Sequence, residues 1–433
     1  MTKAVMFRGL ALLYLTKALT VQGGPADAYW PQWRGPLCTG AAPLADPPLH
    51  WSETNNVKWK SSIPGEGDAT PIVWDQRIFV LTAVGTGKKT GASPTSDAPN
   101  EAFQFSVLCL NRKGGNVLWQ KVAREEIPHE GHQENNTFAS ASPVADGANL
   151  IAYFGSRGLY CYDFDGGLKW QKDFGKMKTR MGFGEGASPA VSGDTVVVVW
   201  DEETTSFIVG LDKQTGHELW REPRDELTGW STPLIVDFQG RKQVIVNATK
   251  AVRSYDLESG KELWSCGGQT PNAIPSPVSS GDVVYLTSGF RGAALQAVRL
   301  GKTGDLTGTD AIIWSHPKGT PYVPSPLLID NLLYVVKGND AILSCFDAKT
   351  GQPQFDQERI EPLHAIYASP VSTKDRVYVL GRDGTCVVLR KGPKLEVLAV
   401  NTLDDDHTDA SMALAGNEAF VRTRSHLYCL AEK

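Results

Sequence analysis

A nine-residue stretch at positions 212–220, DKQTGHELW, constrains the fold of this chain because it recurs. It returns as DLESGKELW (256–264), NRKGGNVLW (111–119), DAKTGQPQF (347–355) and, one residue shorter, DFDGGLKW (163–170). In every copy a glycine stands four residues before an aromatic: Gly115/Trp119, Gly166/Trp170, Gly216/Trp220, Gly260/Trp264 and Gly351/Phe355. Asp or Asn followed by Thr/Ser-Gly is hairpin chemistry, in which the polar side chain organises the turn and glycine takes the positive φ. Each copy is expected to be a β-hairpin, with an apolar strand, a tight turn and a short strand ending on an aromatic anchor.

A second marker sets the period. Ser/Thr-Pro opens an alternating stretch at Thr70, Ser142, Ser188, Thr232, Ser276, Ser325 and Ser369, with a degenerate copy at Ser411-Met412. Successive openings lie 72, 46, 44, 44, 49, 44 and 42 residues apart. A repeat of roughly 40–45 residues carrying four strands is the mark of a propeller blade. The eight openings predict an all-β fold, an eight-bladed β-propeller of four-stranded antiparallel blades over residues 57–433.

Composition agrees. The 43 glycines and 26 prolines supply the frequent turns of an all-β chain. A net charge of −5, with acids and bases interspersed, lacks the basic stripe of a nucleic-acid binder, so no nucleic-acid partner is expected. Of seven cysteines, Cys109, Cys161, Cys345, Cys386 and Cys429 fall at similar places in the third strand of their blades, which marks them as buried, inert thiols. Their spacing does not suggest a zinc site.

Residues 1–28 read as an export signal, with Lys3 and Arg8 before an apolar core and Ala26-Asp27-Ala28 as the cleavage site. An exported, periplasmic or extracellular protein is expected, with no integral membrane segment. Residues 29–56, opening with YWPQWRG, read as an irregular strap packed on the ring. Residues 57–60 (VKWK) look like an outer strand without a blade, whereas the C-terminal SMALAG, EAFVRT and HLYCL make a blade of three strands. The N-terminal strand is expected to complete that last blade, closing a monomeric ring without open edges. Residues 85–100 read as a mobile loop, and GTGKKTG within them lacks the spacing of a phosphate loop. Residues 299–314 stretch a turn in blade five, and Phe355 and KGPKLEVLAV weaken the aromatic anchors of blades six and seven.

Taken together, these copies resemble the PQQ-like, quinoprotein-type β-propeller repeat family, best at 212–220 and 256–264. WPQWRGP, NNTFASASP, GWSTPL, YVPSPLL and TRSHLYCL are similar to phrases of its exported PQQ-binding-like members. The resemblance implies that Trp119, Trp170, Trp220, Trp264 and Trp314 dock between neighbouring blades. It also implies two functional classes. One is a non-enzymatic binding or scaffold module for a protein, peptide or glycan, like the propeller lipoprotein of the outer-membrane barrel-assembly machinery. The other is an alcohol or sugar dehydrogenase using PQQ and calcium, the metal polarising the quinone while a carboxylate takes the alcohol proton. Adjacent cysteines and long insertions common in such enzymes are lacking here, so a binding module is the expectation and no cofactor is assured.

A ligand site is expected on one rim. The segments running from each outer strand into the next Ser/Thr-Pro emerge together near the axis, and they carry Glu66, Asp68, His132, Glu134, Asn135, Asn136, Arg180, Glu185, Trp230, Asn272, Tyr322, His364, Tyr367, His407 and Asp409. Some constellations there read as ordinary loop chemistry. His129 and His132 would share a face only in a helix, and residues 404–406 with Asp409 read as a solvated acidic turn. Gly182-x-Gly184-x-Gly186 precedes a strand, unlike a dinucleotide fingerprint.

Overall fold

The computed structural model describes residues 25–89, 93, 98–404 and 407–432, so the expected export signal lies almost wholly outside it. The described residues form eight antiparallel four-stranded sheets in chain order, one of which accepts a fifth strand. The innermost strands touch one another around the axis, and Ile72–Trp74 meets Ala413–Ala415 to close the ring. No helix among the described residues is long and apolar enough to cross a membrane.

The Ser/Thr-Pro marker has a physical cause at the axis. Each innermost strand starts on the residue after that dipeptide, at Ile72, Val144, Ala190, Leu234, Val278, Leu327, Val371 and Ala413. The Ser/Thr N–H of each blade donates to the hydroxyl of the next: Thr70 to Ser142 (3.0 Å), Ser142 to Ser188 (2.8 Å), Ser188 to Thr232 (3.0 Å) and Thr232 to Ser276 (3.1 Å). Ser276 donates to Ser325, Ser325 to Ser369, and Ser369 to Ser411, each at 2.9 Å. A buried N–H must find an acceptor, and the following proline carries none that needs one. The belt breaks only at the seam between blades eight and one, where the Thr70 hydroxyl is buried without a partner.

That seam is closed elsewhere. Val57–Ser62 pairs antiparallel with His426–Leu430 and supplies the fourth strand of blade eight, as expected. Trp59 on this strand then behaves like the other anchors: its Nε1 donates to the Arg112 carbonyl of blade one at 2.9 Å. Trp119, Trp170, Trp220 and Trp314 likewise donate to Phe164, Lys213, Leu257 and Ala348 carbonyls at 2.8–3.0 Å, each in the following blade.

The fixed glycine now has two reasons. Gly260 has φ +75°, and a Cβ there would lie 2.6 Å from the Trp220 ring of the preceding blade. The recurrent glycine therefore lets the turn bend and gives the neighbour's indole room to lie flat on the backbone. The turn acid also does its work: Asp212 Oδ1 accepts from the Gln214 and Thr215 amides and from the Thr215 hydroxyl.

Small residues face the anchors across the sheet. Cys109, Cys161, Gly210, Ser254, Ala297, Cys345 and Cys429 stand opposite Trp119, Trp170, Trp220, Trp264, Trp314, Phe355 and Trp59. The aromatic side chain lies over its cross-strand partner and leaves no space for a larger one. Cys386 departs from this set, since it faces Leu380 and Asn401 and lies against Met412. Burial pushes the Cys109 and Cys161 thiols up to about 12, so neither is a ready nucleophile.

Three local expectations are corrected. The outer strand does not end at its anchor: Glu218–Arg224 runs past Trp220 to the rim. Residues 85–89 belong to strand Arg77–Lys89, which pairs with Glu101–Asn111, so the loop of blade one is shorter than the polar composition implied. The stretched turn of blade five is not idle, because Gly304–Asp305 adds as a parallel strand outside Glu262–Cys266 of blade four, at Trp264. Trp264 accordingly donates to Gln243 Oε1 at 3.2 Å and not to a turn carbonyl. Phe355 is 7% exposed, as buried as Trp220 at 8%, whereas in blade seven Val397 and Val400 face solvent.

Candidate ligand site in the channel mouth

One end of the channel is sealed by the strap. Trp30 exchanges backbone hydrogen bonds with Val73 of blade one, and Gly40 and Ala42 bond to Ser372 of blade seven, so the segment crosses beneath the axis. Trp33 Nε1 donates to the Ser276 hydroxyl at 3.0 Å, inside the serine belt. Arg34 beside it is buried, its Nη2 donating to the Pro326 and Pro370 carbonyls at 2.8 and 2.9 Å. Burial lowers its guanidinium to about 9.

Above Trp33 lies a cavity of about 180 Å³ to which every one of the eight blade-to-blade crossings contributes a lining residue. Its floor is Trp33 with belt hydroxyls from Ser188 round to Ser411. One side is aromatic. Trp230 is held by its Nε1–H to the Gly184 carbonyl at 2.8 Å, leaving its ring for the cavity, with Phe183 beside it. Tyr322 stacks on Phe290 at 5.0 Å.

The other side is polar. Asn135 spans two loops, donating to Tyr367 Oη at 3.2 Å and accepting from Arg382 Nη2 at 2.7 Å. Arg382 grips Asp409 with two bonds, 2.7 and 2.8 Å, and its guanidinium covers the Tyr367 ring at 4.2 Å. His407 Nε2 is 2.7 Å from Arg382 Nη2 and 2.9 Å from Asp409 Oδ2, and one nitrogen can bond to only one of these at a time. Asp409 is thus a nearly buried ion pair, not the solvated turn expected from its neighbours. Asn136 donates to the Phe183 carbonyl and accepts from Ser140, fastening the 127–143 crossing over the mouth.

Asp68 stands apart because its carboxylate accepts no hydrogen bond among the described residues. Burial, and then the negative charge of Asp409, push it up to about 7, against the pull of Arg422 and Arg424. In the unfolded chain the group titrates near ~3.9, so the folded state holds the extra proton between these values. Its stabilising contribution is therefore full below about pH 4 and is lost as pH rises through 7, a span of at most ~4 kcal/mol, reduced by the water that reaches the cavity. Asp68→Asn is expected to flatten this dependence: urea midpoints at pH 5 and pH 8 should converge, chiefly by a gain at pH 8.

Several rim residues lie elsewhere. Glu185 is inter-blade structure, accepting from the Ser156 amide at 2.6 Å and Arg157 Nη1 at 2.9 Å. Asn272 is 1% exposed, with φ +56° and its carboxamide unpaired. Glu66 and His364 are exposed, and Glu66 is held through its backbone, by the bridge to Ala83 and the Thr82 hydroxyl. His132 sets its ring against Phe138 at 4.4 Å, and the backbone of Arg180 bonds Thr228. His129 Nε2 contacts the Met177 carbonyl at 2.6 Å, away from His132. Among the described residues no three His, Cys, Asp or Glu side chains group as metal ligands do.

Sequence reasoning missed Phe183, Ile274 and Val323 in the lining and, above all, Arg382, which lies behind it on Asn135 and Asp409. Arg382 sits between the second and third strands of blade seven. Strands alternate in direction, so that connection emerges on the same rim as the blade-to-blade crossings. Counting both sets of loops would have found it.

The family profile described as outer membrane protein assembly factor BamB matches residues 104–357, more than half of the chain. The chain belongs to this family of PQQ-like propellers. No curated protein matches the sequence. Among solved structures, BamB from Moraxella catarrhalis is similar at 14% identity and a TM-score of 0.56, covering 81% of this chain and 100% of that one. Quinohemoprotein alcohol dehydrogenase from Comamonas testosteroni is similar at 10% identity and 0.62, covering 94% and 81%. A europium-containing methanol dehydrogenase is similar at 11% and 0.64, covering 94% and 98%. At such identities the likeness is one of fold, and one fold carries many functions.

A quinone cofactor of the dehydrogenases can be tested against the cavity. PQQ is a planar tricarboxylate, and the acidic or basic side chains in this lining are Asp68 and Asp409, with Arg382 already committed to Asp409. Carboxylates facing carboxylates repel, and a calcium ion to bridge them would find only Asp68 and Asp409, since no three such side chains group among the described residues. The residues present do not fit the group.

Proposed function

We propose that this propeller is a non-enzymatic binding module, acting after export, that takes a protein, peptide or glycan partner at the channel mouth. The carrying observation is convergence: residues from all eight crossings line one cavity closed below by Trp33. Concave sites with aromatic walls and a few convergent polar groups are where ligands bind. The polar side chains of the wall are largely spent on each other, as in Asn135–Arg382–Asp409, which favours a rigid receptor over a reacting centre.

Binding of peptide and glycan panels, followed by Trp230 fluorescence and calorimetry, tests this. Saturable binding by at least one class is expected, weakened at least roughly tenfold by Trp230→Ala while the urea midpoint stays close to that of the parent. Saturable PQQ binding with calcium, lost in Asp68→Asn, would overturn the reading in favour of the dehydrogenase.

A further inference from the structure

We propose that the channel-mouth cavity is a subsite for the terminal, uncharged sugar ring of a glycan. This rests on the binding-module reading and names its ligand.

Size is the first argument. A volume of about 180 Å³ is slightly above that of an engineered protein cavity of ~150 Å³ that holds one benzene ring, which suits a single six-membered pyranose ring. Shape is the second. Trp33 blocks the far end, so a ligand enters from the rim and stops, and a chain can present only its end.

Chemistry is the third. A pyranose has apolar C–H faces and a hydroxyl edge. Trp230 offers a ring face whose N–H is already used on Gly184, and Tyr322 is steadied by Phe290. These are platforms for the C–H faces. Around the hydroxyl edge stand Asp68 without a partner, Gln133, and belt hydroxyls that keep their own O–H while accepting one N–H each, or two at Ser276. A hydroxyl both donates and accepts, so this mixture matches it.

Charge is the fourth. Asp409 is neutralised by Arg382, and no Lys or Arg side chain lines the cavity among the described residues. An anionic sugar would meet Asp68 with no Lys or Arg in the lining to receive it, and a cationic one would find only Asp68, because Asp409 is already matched by Arg382. The neutral ring is left.

The test is calorimetric titration of the whole chain with neutral monosaccharides and their short oligomers, beside glucuronate and a peptide panel. The expected result is saturable binding of a neutral sugar, weaker for glucuronate, and reduced at least roughly tenfold by Trp230→Ala and by Tyr322→Ala. Trp230→Phe should restore part of the affinity by returning a ring face, which a merely misfolded variant would not. Glucuronate binding more tightly than glucose overturns the inference. If no neutral sugar binds up to its solubility but a peptide binds in a Trp230-dependent way, the sugar inference falls while the binding-module reading stands. If neither binds, both fall.

Discussion

Arg224→Ala is expected to lower stability by about 3–5 kcal/mol, because it leaves a buried carboxylate without its counter-ion. Arg224 and Asp201 are joined by two bonds of 2.7 and 3.0 Å, with side-chain exposures of 0% and 1%. The third arm of the guanidinium reaches Tyr255 Oη of blade four at 2.6 Å, so the pair also fastens two blades. Burial works against the charge on Arg224, yet Asp201 and Tyr255 more than offset it and hold the guanidinium well above its usual range. The double variant Arg224→Met with Asp201→Leu removes both charges, and urea unfolding should show most of the loss recovered. A single variant within about 1 kcal/mol of the parent would mean that water reaches the pair.

The second large effect is at an anchor. Trp264→Ala should also cost about 3–5 kcal/mol, since the ring is 1% exposed beneath the extra strand at Gly304–Asp305. Trp119→Ala should cost less, because Trp119 is only half-buried and already gives up less contact. Urea midpoints of the two variants rank them. Equal losses would show that the hydrogen bond to the neighbouring blade, which Trp119 makes to Phe164, matters as much as burial.

Both predictions draw on features of different visibility. Trp264 was legible as an anchor from its offset to Gly260, though not its extra strand, which comes from an insertion some forty residues later. Arg224 and Asp201 carry no motif. Their sequence separation spans a hairpin, and only the folding of blade three brings their side chains into one dry space.

The site shows the same division. Asp68, Asn135, Trp230, Tyr322 and Tyr367 could be placed on one rim because every crossing follows a recognisable Ser/Thr-Pro spacing, and they do line one cavity. Glu185 and Asn272 come from equivalent positions and point elsewhere, Glu185 to Arg157 and Asn272 into the packed interior. Side-chain direction within an irregular loop has no period to read, unlike a strand, where alternate residues face opposite sides.

By itself the sequence determined the repeat, the eight blades, the anchors and the closing strand, because each depends on local chemistry repeated at fixed spacing: a glycine turn, an aromatic, a hydroxyl before proline. Tertiary structure alone decided that Trp33 seals the channel, that Arg382 neutralises Asp409, and that Asp68 is left without a partner. Those facts depend on how separate loops and the strap meet, with Trp33 and Ser276 243 positions apart and Arg382 and Asp409 27 apart on different loops, and no local pattern encodes such a distance.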